Sequence, residues 1–137
     1  MPFEVSWYLE NRVVLVQPKG MMASADMAEM NTEILKLIHA GRDAGTDKVH
    51  TIIDVRALQR MPVNISGLSD TLKHVKDPAQ GWIIMVGAKS SIRFLARIVS
   101  QIARADFCAV ETFDDGIATL QRLDASLPKL TPQKVEC

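Results

Sequence analysis

The sequence predicts a single α/β domain with a mixed, mostly parallel sheet of about five strands, an N-terminal hairpin and four helices. The length of 137 residues suits one domain with a continuous core. Hydrophobic residues make up 47% of the chain and charged residues 23%, as in folded globular proteins. Apolar runs with strand character alternate with segments whose apolar residues recur every three or four positions, which is typical of strands linked by helices.

The N-terminal part predicts a β-hairpin followed by a helix. Residues 3–9 alternate apolar and polar side chains, and residues 13–16 form a β-branched run after a short polar turn. Ser24 or Asp26 can cap the helix, which is expected to end at Gly41. The apolar residues that should face the core from this helix are Met27, Met30, Ile34, Leu37 and Ile38.

Two more strands and a second helix are expected in the middle of the chain. Residues 49–55 are a strand with Asp54 near its C-terminal end. The second helix should cover about residues 64–76, because Pro78 cannot continue it. Residues 82–86 are almost uninterrupted apolar sequence, which indicates a central strand covered on both faces.

The C-terminal part predicts a third helix, a last strand and a final helix. Ser91 should cap the third helix, residues 92–105, and residues 107–113 give the strand. The final helix should cover residues 116–125. The residues expected to face inward from the third helix are Ile92, Leu95, Ile98, Val99 and Ile102. The domain is expected to comprise residues 1–128, followed by a flexible tail of residues 129–137.

Two short motifs carry a family resemblance. Ile52-Ile53-Asp54-Val55, followed at a distance by Ser66-Gly67-Leu68, resembles a strand and a helix start of the STAS superfamily, whose soluble members include SpoIIAA-type anti-sigma-factor antagonists. Residues 110–118, with Phe113 and an acidic pair, resemble the family's entry to its last helix. The resemblance spans about residues 3–127 and implies a SpoIIAA-like fold and a regulatory, non-catalytic role.

The motif departs from the antagonists at their regulatory switch. Asn64 and Ile65 stand where antagonists have an aspartate and the phosphorylated serine. Ser66 is the remaining candidate for phosphorylation, since a phosphate of about −1.5 to −2 charges is favoured near a helix N-terminus. An ordinary helix-start serine is the competing interpretation. The chain therefore looks closer to a SpoIIAA-like branch described as STAS/SEC14-like, which generally lacks the switch.

The charge pattern indicates a local rather than a global binding surface. Acidic and basic residues balance at 16 each, so no overall field attracts nucleic acid or an anionic membrane. The strand-to-helix turn before the third helix could bind an anion, and one face of that helix could dock an acidic partner or anionic lipid headgroups. The candidate residues are Lys89, Ser90, Ser91, Arg93, Arg97 and Arg104. A helix cap and a solvated face are the alternatives.

Met21 and Met22, in the loop before the first helix, are candidates for an apolar interface, with core packing as the alternative. The N-terminus lacks the pattern of a secretory signal, and no apolar run reaches the roughly 18 residues of a membrane span. We therefore expect a cytoplasmic protein without an integral membrane segment. No nucleic-acid partner is expected.

Residue patterns for catalysis are not evident in the sequence. His39, His50 and His74 lack the spacing of zinc ligands, and no nucleophile motif or cofactor fingerprint is present, so no metal and no cofactor are expected. The favoured function is a protein-interaction module, with a homodimer as one option. The alternative is a carrier of a small apolar molecule or lipid. An enzyme with Asp54 and Lys89 in reach of each other is a third hypothesis.

Overall fold

The computed structural model describes residues 2–60 and 74–128. The strands are β1 (Phe3–Leu9), β2 (Val13–Pro18), β3 (Gly20–Met21), β4 (Val49–Asp54), β5 (Leu58–Arg60), β6 (Gln80–Val86) and β7 (Phe107–Val110). The helices are α1 (Ser24–Asp43), α2 (Ser90–Ala103) and α3 (Phe113–Leu123). The described residues thus contain three helices instead of four, and the helix expected at about residues 64–76 lies mostly outside them. None of these helices is long and apolar enough to cross a bilayer.

The main sheet has five strands in the order β1-β2-β4-β6-β7. β1 and β2 form an antiparallel hairpin, and β2, β4, β6 and β7 are parallel neighbours. Parallel neighbours need long crossovers, and the helical segments of the sequence supply them. The predicted mixed, mostly parallel sheet with an N-terminal hairpin is confirmed.

The helices cover both faces of the sheet. Ile34 of α1 and Ile92 of α2 belong to one buried cluster, together with alternate side chains of the central strands. Ile117 of α3 packs into a second cluster with Ile52 and Ile84, which point to the opposite face. The central strands are therefore apolar on both sides, which explains the uninterrupted apolar run of β6.

Gly41 does not end the first helix, contrary to the sequence prediction. α1 continues to Asp43, and Gly41 is buried within it. A Cβ atom at this position would lie 2.8 Å from Val49 Cγ2 and 2.9 Å from the carbonyl oxygen of Asn11. Glycine is required here because the helix approaches the sheet closely.

α2 covers the sheet with a narrower face than its sequence indicates. Ile92 and Val99 are buried, whereas Ile98 and Ile102 are exposed, so the prediction that these two isoleucines face inward is wrong. The helix packs against β7, which is a short strand at the edge of the sheet. Beyond that edge, the described part of the chain offers α2 no neighbouring strand.

A second sheet of two short strands was not expected from the sequence. β3 pairs in parallel with β5, and the backbone N–H of Gly20 donates to the carbonyl of Ala57 at 2.8 Å. Met22 N–H likewise donates to the Arg60 carbonyl at 2.9 Å. This pairing holds the segments that follow β2 and β4 beside each other, at the edge where both strands end.

Candidate functional site

The carboxyl ends of β2, β4 and β6 meet at one edge of the main sheet. In open α/β sheets, ligands bind at this edge. A surface hollow of about 330 Å³ lies there, and we call it the carboxyl-edge hollow. Its lining residues are Gln17, Pro18, Lys19, Asp54, Arg56 and Ala57.

Asp54 and Arg56 form a tight ion pair in the wall of this hollow. Arg56 Nε donates to Asp54 Oδ1 at 2.9 Å, and Arg56 Nη2 donates to Oδ2 at 2.7 Å. The backbone N–H of Arg56 also donates to Oδ1, at 3.2 Å. The Arg56 hydrogen bonds outweigh the effect of burial and hold the pKa of Asp54 below its usual value. Asp54 is therefore a carboxylate with both oxygens engaged, which disfavours it as a general base.

Gly87 supports this ion pair from the neighbouring strand. It follows β6 with φ +71°, and a Cβ atom there would overlap the Arg56 side chain. Its N–H donates to the Val110 carbonyl at 2.9 Å and so belongs to the sheet. The glycine of the strand-to-helix turn thus makes room for Arg56, and its N–H group is not available to an anion.

The six candidate anion-binding residues lie along α2 and at its two ends. Lys89 is the N-cap residue, without a side-chain cap bond, so Ser91 does not have the expected capping role. Arg93 and Arg97 lie on one side of the helix. Arg104 follows the helix in a left-handed conformation with φ 55°. Lys89, Ser90 and Ser91 are exposed, and anion binding by these residues stays a prediction.

The two candidate methionines have different environments. Met21 is 65% exposed, whereas Met22 is 5% exposed and belongs to the core cluster that includes α1. Only Met21 is therefore presented to a partner at the surface. Ser66, the candidate phosphorylation site, lies within residues 61–73, outside the described residues, and its modification stays a prediction.

His50 belongs to a polar cluster at the opposite, amino-terminal edge of the sheet. Its Nδ1 accepts the backbone N–H of Trp82 at 2.9 Å, so the ring hydrogen sits on Nε2, which donates to Asp124 Oδ2 at 2.7 Å. Burial acts to raise the pKa of Asp124, but hydrogen bonds from Ser126 and His50 outweigh it and lower the pKa to about 2. The His50–Asp124 hydrogen bond thus connects β4 to the residue that follows α3. Sequence reasoning missed the cluster because its members lie far apart in the chain.

A second, apolar cavity of about 90 Å³ lies between α1, α2 and the sheet. Most of its lining is apolar, including Met27, Met85 and Phe107, with His74 and Ser100 among the polar members. Burial lowers the pKa of His74 to about 4. His74 is therefore a neutral wall residue at physiological pH.

No group of three or more side chains suited to holding a metal ion occurs in residues 2–60 and 74–128. Among the same residues, the Asp54 carboxylate forms its ion pair with Arg56 and not with a metal-binding group of side chains. The expectation that the protein uses no metal and no cofactor stays a prediction.

Two solved structures share this arrangement of sheet and helices, which is that of a SpoIIAA-like domain. One is an uncharacterised protein of the DUF3478 family with a SpoIIAA-like fold, from Shewanella loihica PV-4. It is 16% identical with a TM-score of 0.59, and the match covers 84% of this chain and 89% of that chain. The other is the anti-sigma factor antagonist SpoIIAA in its unphosphorylated form. It is 14% identical with a TM-score of 0.61, and the match covers 88% of this chain and 96% of that chain.

These similarities confirm the SpoIIAA-like fold implied by the sequence motifs. At such low identities they show the fold alone, because one fold hosts many functions. No family model matches the sequence, and none of the curated proteins does. The function of this chain therefore does not follow from its fold.

Proposed function

We propose that the protein is a non-catalytic interaction module with a regulatory role, similar to anti-sigma-factor antagonists but without their standard phosphoserine switch. The observation that carries this proposal is the Asp54–Arg56 pair. At the edge where α/β proteins bind ligands, the carboxylate is neutralised by a neighbour two residues away. A partner can cover such a surface without leaving the Asp54 charge buried and unpaired.

The state of three titratable groups, Asp54, His50 and His74, supports binding over catalysis. Asp54 has a lowered pKa and is occupied by Arg56, so proton abstraction by it is disfavoured. Both ring nitrogens of His50 are engaged, one by Trp82 and one by Asp124. His74 is completely buried. A general acid or base needs a group that can reach the substrate, and these three groups do not supply one.

The two-stranded sheet next to the carboxyl-edge hollow provides the docking surface in this proposal. Met21 is exposed and lies beside Arg60 in the β3–β5 pairing. Met and Arg are both enriched at protein interfaces, where the flexible thioether and the long guanidinium side chain adapt to a partner. Lys19 lies next to them, in the wall of the hollow.

Affinity purification with quantitative mass spectrometry, from cells that express the protein naturally, tests this surface. The double variant Met21→Ser/Arg60→Ser should lose roughly tenfold of any specific partner, because a few central side chains carry most interface energy. Lys36→Ser, on the exposed side of α1, is the matched control and should retain the partner. Equal recovery by the double variant would place the interface elsewhere. No enrichment above an unrelated tagged protein would refute the module itself.

The apolar cavity favours a second candidate, a carrier of a small apolar molecule. Its volume of about 90 Å³ is well below the roughly 300–1,000 Å³ of drug-sized ligand sites, so a lipid chain would require α2 to move outward. Native mass spectrometry of freshly purified protein checks this directly. A reproducible additional mass of a few hundred daltons would support the carrier. A protein that carries no ligand would exclude tight binding.

A further inference from the structure

α2 exposes three large apolar side chains in a row. Phe94 is 67%, Ile98 37% and Ile102 61% exposed. Residues four positions apart on a helix differ in direction by only about 40°, so the three side chains form one continuous line about 12 Å long. We call this line the α2 apolar stripe. Three exposed large apolar residues on one face indicate a surface that is covered in function.

A basic flank runs beside the stripe. Four basic residues and no acidic residue occur in residues 78–105, although acidic and basic residues balance over the whole chain. The basic residues are Lys89, Arg93, Arg97 and Arg104. None of them forms an ion pair within the part of the chain that the structure describes, whereas Arg12, Lys19, Lys36, Arg42 and Arg56 each do. The flank therefore presents uncompensated positive charge.

The geometry of the helix places charge and apolar surface side by side. Arg97 is three residues from Phe94, which corresponds to about 60° around the helix axis, and Arg93 lies further to the same side. Ile98 and Ile102 lie on the other side of Phe94. An outward-facing helix of this kind, with large apolar side chains next to Arg and Lys, is typical of segments that lie in a membrane interface.

The positive charge of the basic flank favours an anionic bilayer over a second copy of the chain as the binding partner of the stripe. A second copy of this chain would bring two unpaired basic flanks together, and like charges repel without an acidic residue on α2 to offset them. A bilayer with anionic lipids satisfies both surfaces at once. Its headgroup phosphates attract the arginines, and its acyl boundary takes up the apolar side chains.

We propose that α2 docks the protein onto anionic lipid bilayers, with the α2 apolar stripe in the headgroup region and Lys89, Arg93 and Arg97 on lipid phosphates. This membrane-docking surface is separate from the β3–β5 surface used for protein partners. Docking through α2 positions the interaction module at the surface of a membrane. The helix lies on the bilayer and does not cross it.

Co-sedimentation with vesicles tests the proposal. The full chain should bind vesicles of phosphatidylcholine mixed with phosphatidylglycerol, and bind much less to phosphatidylcholine alone. Phe94→Ser/Ile102→Ser should lower partitioning at least about tenfold, because both side chains leave the apolar boundary. Arg93→Gln/Arg97→Gln should lower it about fivefold per arginine, and added salt should weaken the binding of the wild type.

Two controls separate this proposal from the interaction surface. Arg122→Gln removes an exposed positive charge from α3, on the other side of the sheet, and should leave vesicle binding unchanged. Met21→Ser/Arg60→Ser, which tests the protein-docking surface, should also leave it unchanged. Circular dichroism of each variant confirms that the exposed substitutions preserve the fold.

Three outcomes would overturn the proposal. Equal binding to both kinds of vesicle would refute the role of the basic flank. Binding to anionic vesicles that survives Phe94→Ser/Ile102→Ser would show that the stripe stays outside the bilayer and that headgroup phosphate alone is recognised. A wild-type protein that binds neither vesicle would exclude docking of the stripe onto these bilayers.

Discussion

Asp54 is held as a carboxylate by a residue only two positions further along the chain. The Arg56 side chain turns back over the end of β4 and donates to both carboxylate oxygens. The arginine remains half exposed while the aspartate side chain is buried. The pair therefore stabilises the fold chiefly by satisfying the aspartate, since an unpaired buried charge costs far more than an exposed one.

Removing the guanidinium should reveal this cost. We expect Arg56→Met to lower the free energy of unfolding by about 1–3 kcal/mol, because Asp54 is left without its charged donor. Urea unfolding monitored by circular dichroism measures the change. The double variant Asp54→Asn/Arg56→Met is the control and should recover part of the loss, since no buried charge remains. An unchanged unfolding midpoint in Arg56→Met would contradict this account of the pair.

Individual site residues were only partly predictable from the sequence. Asp54 was identified by its position near the end of a strand, but Arg56 was not, because an arginine after a strand is common and has no motif. Met21 and Met22 are identical in type and adjacent in sequence, yet Met21, at the end of β3, is exposed and Met22, just after it, is buried. Local sequence does not contain this difference, which depends on the pairing with β5.

At the level of elements, the junction between β6 and α2 depends on Gly87. Its φ of +71° is a left-handed conformation, and Arg56 occupies the space above its Cα atom. Gly20 has a similar φ of +59° but no atom within 4 Å of an added Cβ. Both glycines therefore adopt a backbone conformation that other residues disfavour, but only at Gly87 would a larger side chain also meet a neighbouring atom.

This difference predicts unequal costs for the same substitution. Gly20→Ala should lower the free energy of unfolding by about 1 kcal/mol, through the left-handed backbone alone. Gly87→Ala should cost at least about 1 kcal/mol more, since Arg56 must also move from Asp54. Parallel urea titrations of both variants measure the gap. Equal costs would show that Arg56 adapts without loss of its ion pair.

The positions of helices and strands were more predictable than which side of each one is buried. Alternating and helical periodicities located the hairpin, the three later strands and α1, because these patterns follow from which side chains are buried. For α2 the apolar pattern was wider than the covered face, so Ile98 and Ile102 were placed inward incorrectly. The covered width depends on β7 being an edge strand, which is a property of the whole sheet.

The whole molecule combines a double-sided core with titratable groups that all lower its stability as the pH falls, each in its own pH range. Asp54, Asp124 and Asp77, whose Oδ2 lies 2.6 Å from His39 Nε2, all have lowered pKa values. The stability they contribute is therefore present above the ordinary carboxylate pKa of 3.8 and is lost only at lower pH. His74 is buried in neutral form, with a pKa lowered from 6.5 to about 4. The loss of stability from His74 therefore occurs at higher pH than the loss from the aspartates.

Between pH 6.5 and about 4, the unfolded chain binds a proton at His74 that the folded protein excludes. Stability must therefore decrease as the pH falls through this window, by on the order of 3 kcal/mol from this residue. Unfolding free energies measured across the window test the effect. His74→Gln, which keeps a polar side chain beside Gln80, should flatten the dependence above pH 4 and leave the aspartate-driven loss below it. If His74→Gln retains the full slope between pH 6.5 and 4, the acid response belongs to another group, and His74 is not the neutral wall of the cavity.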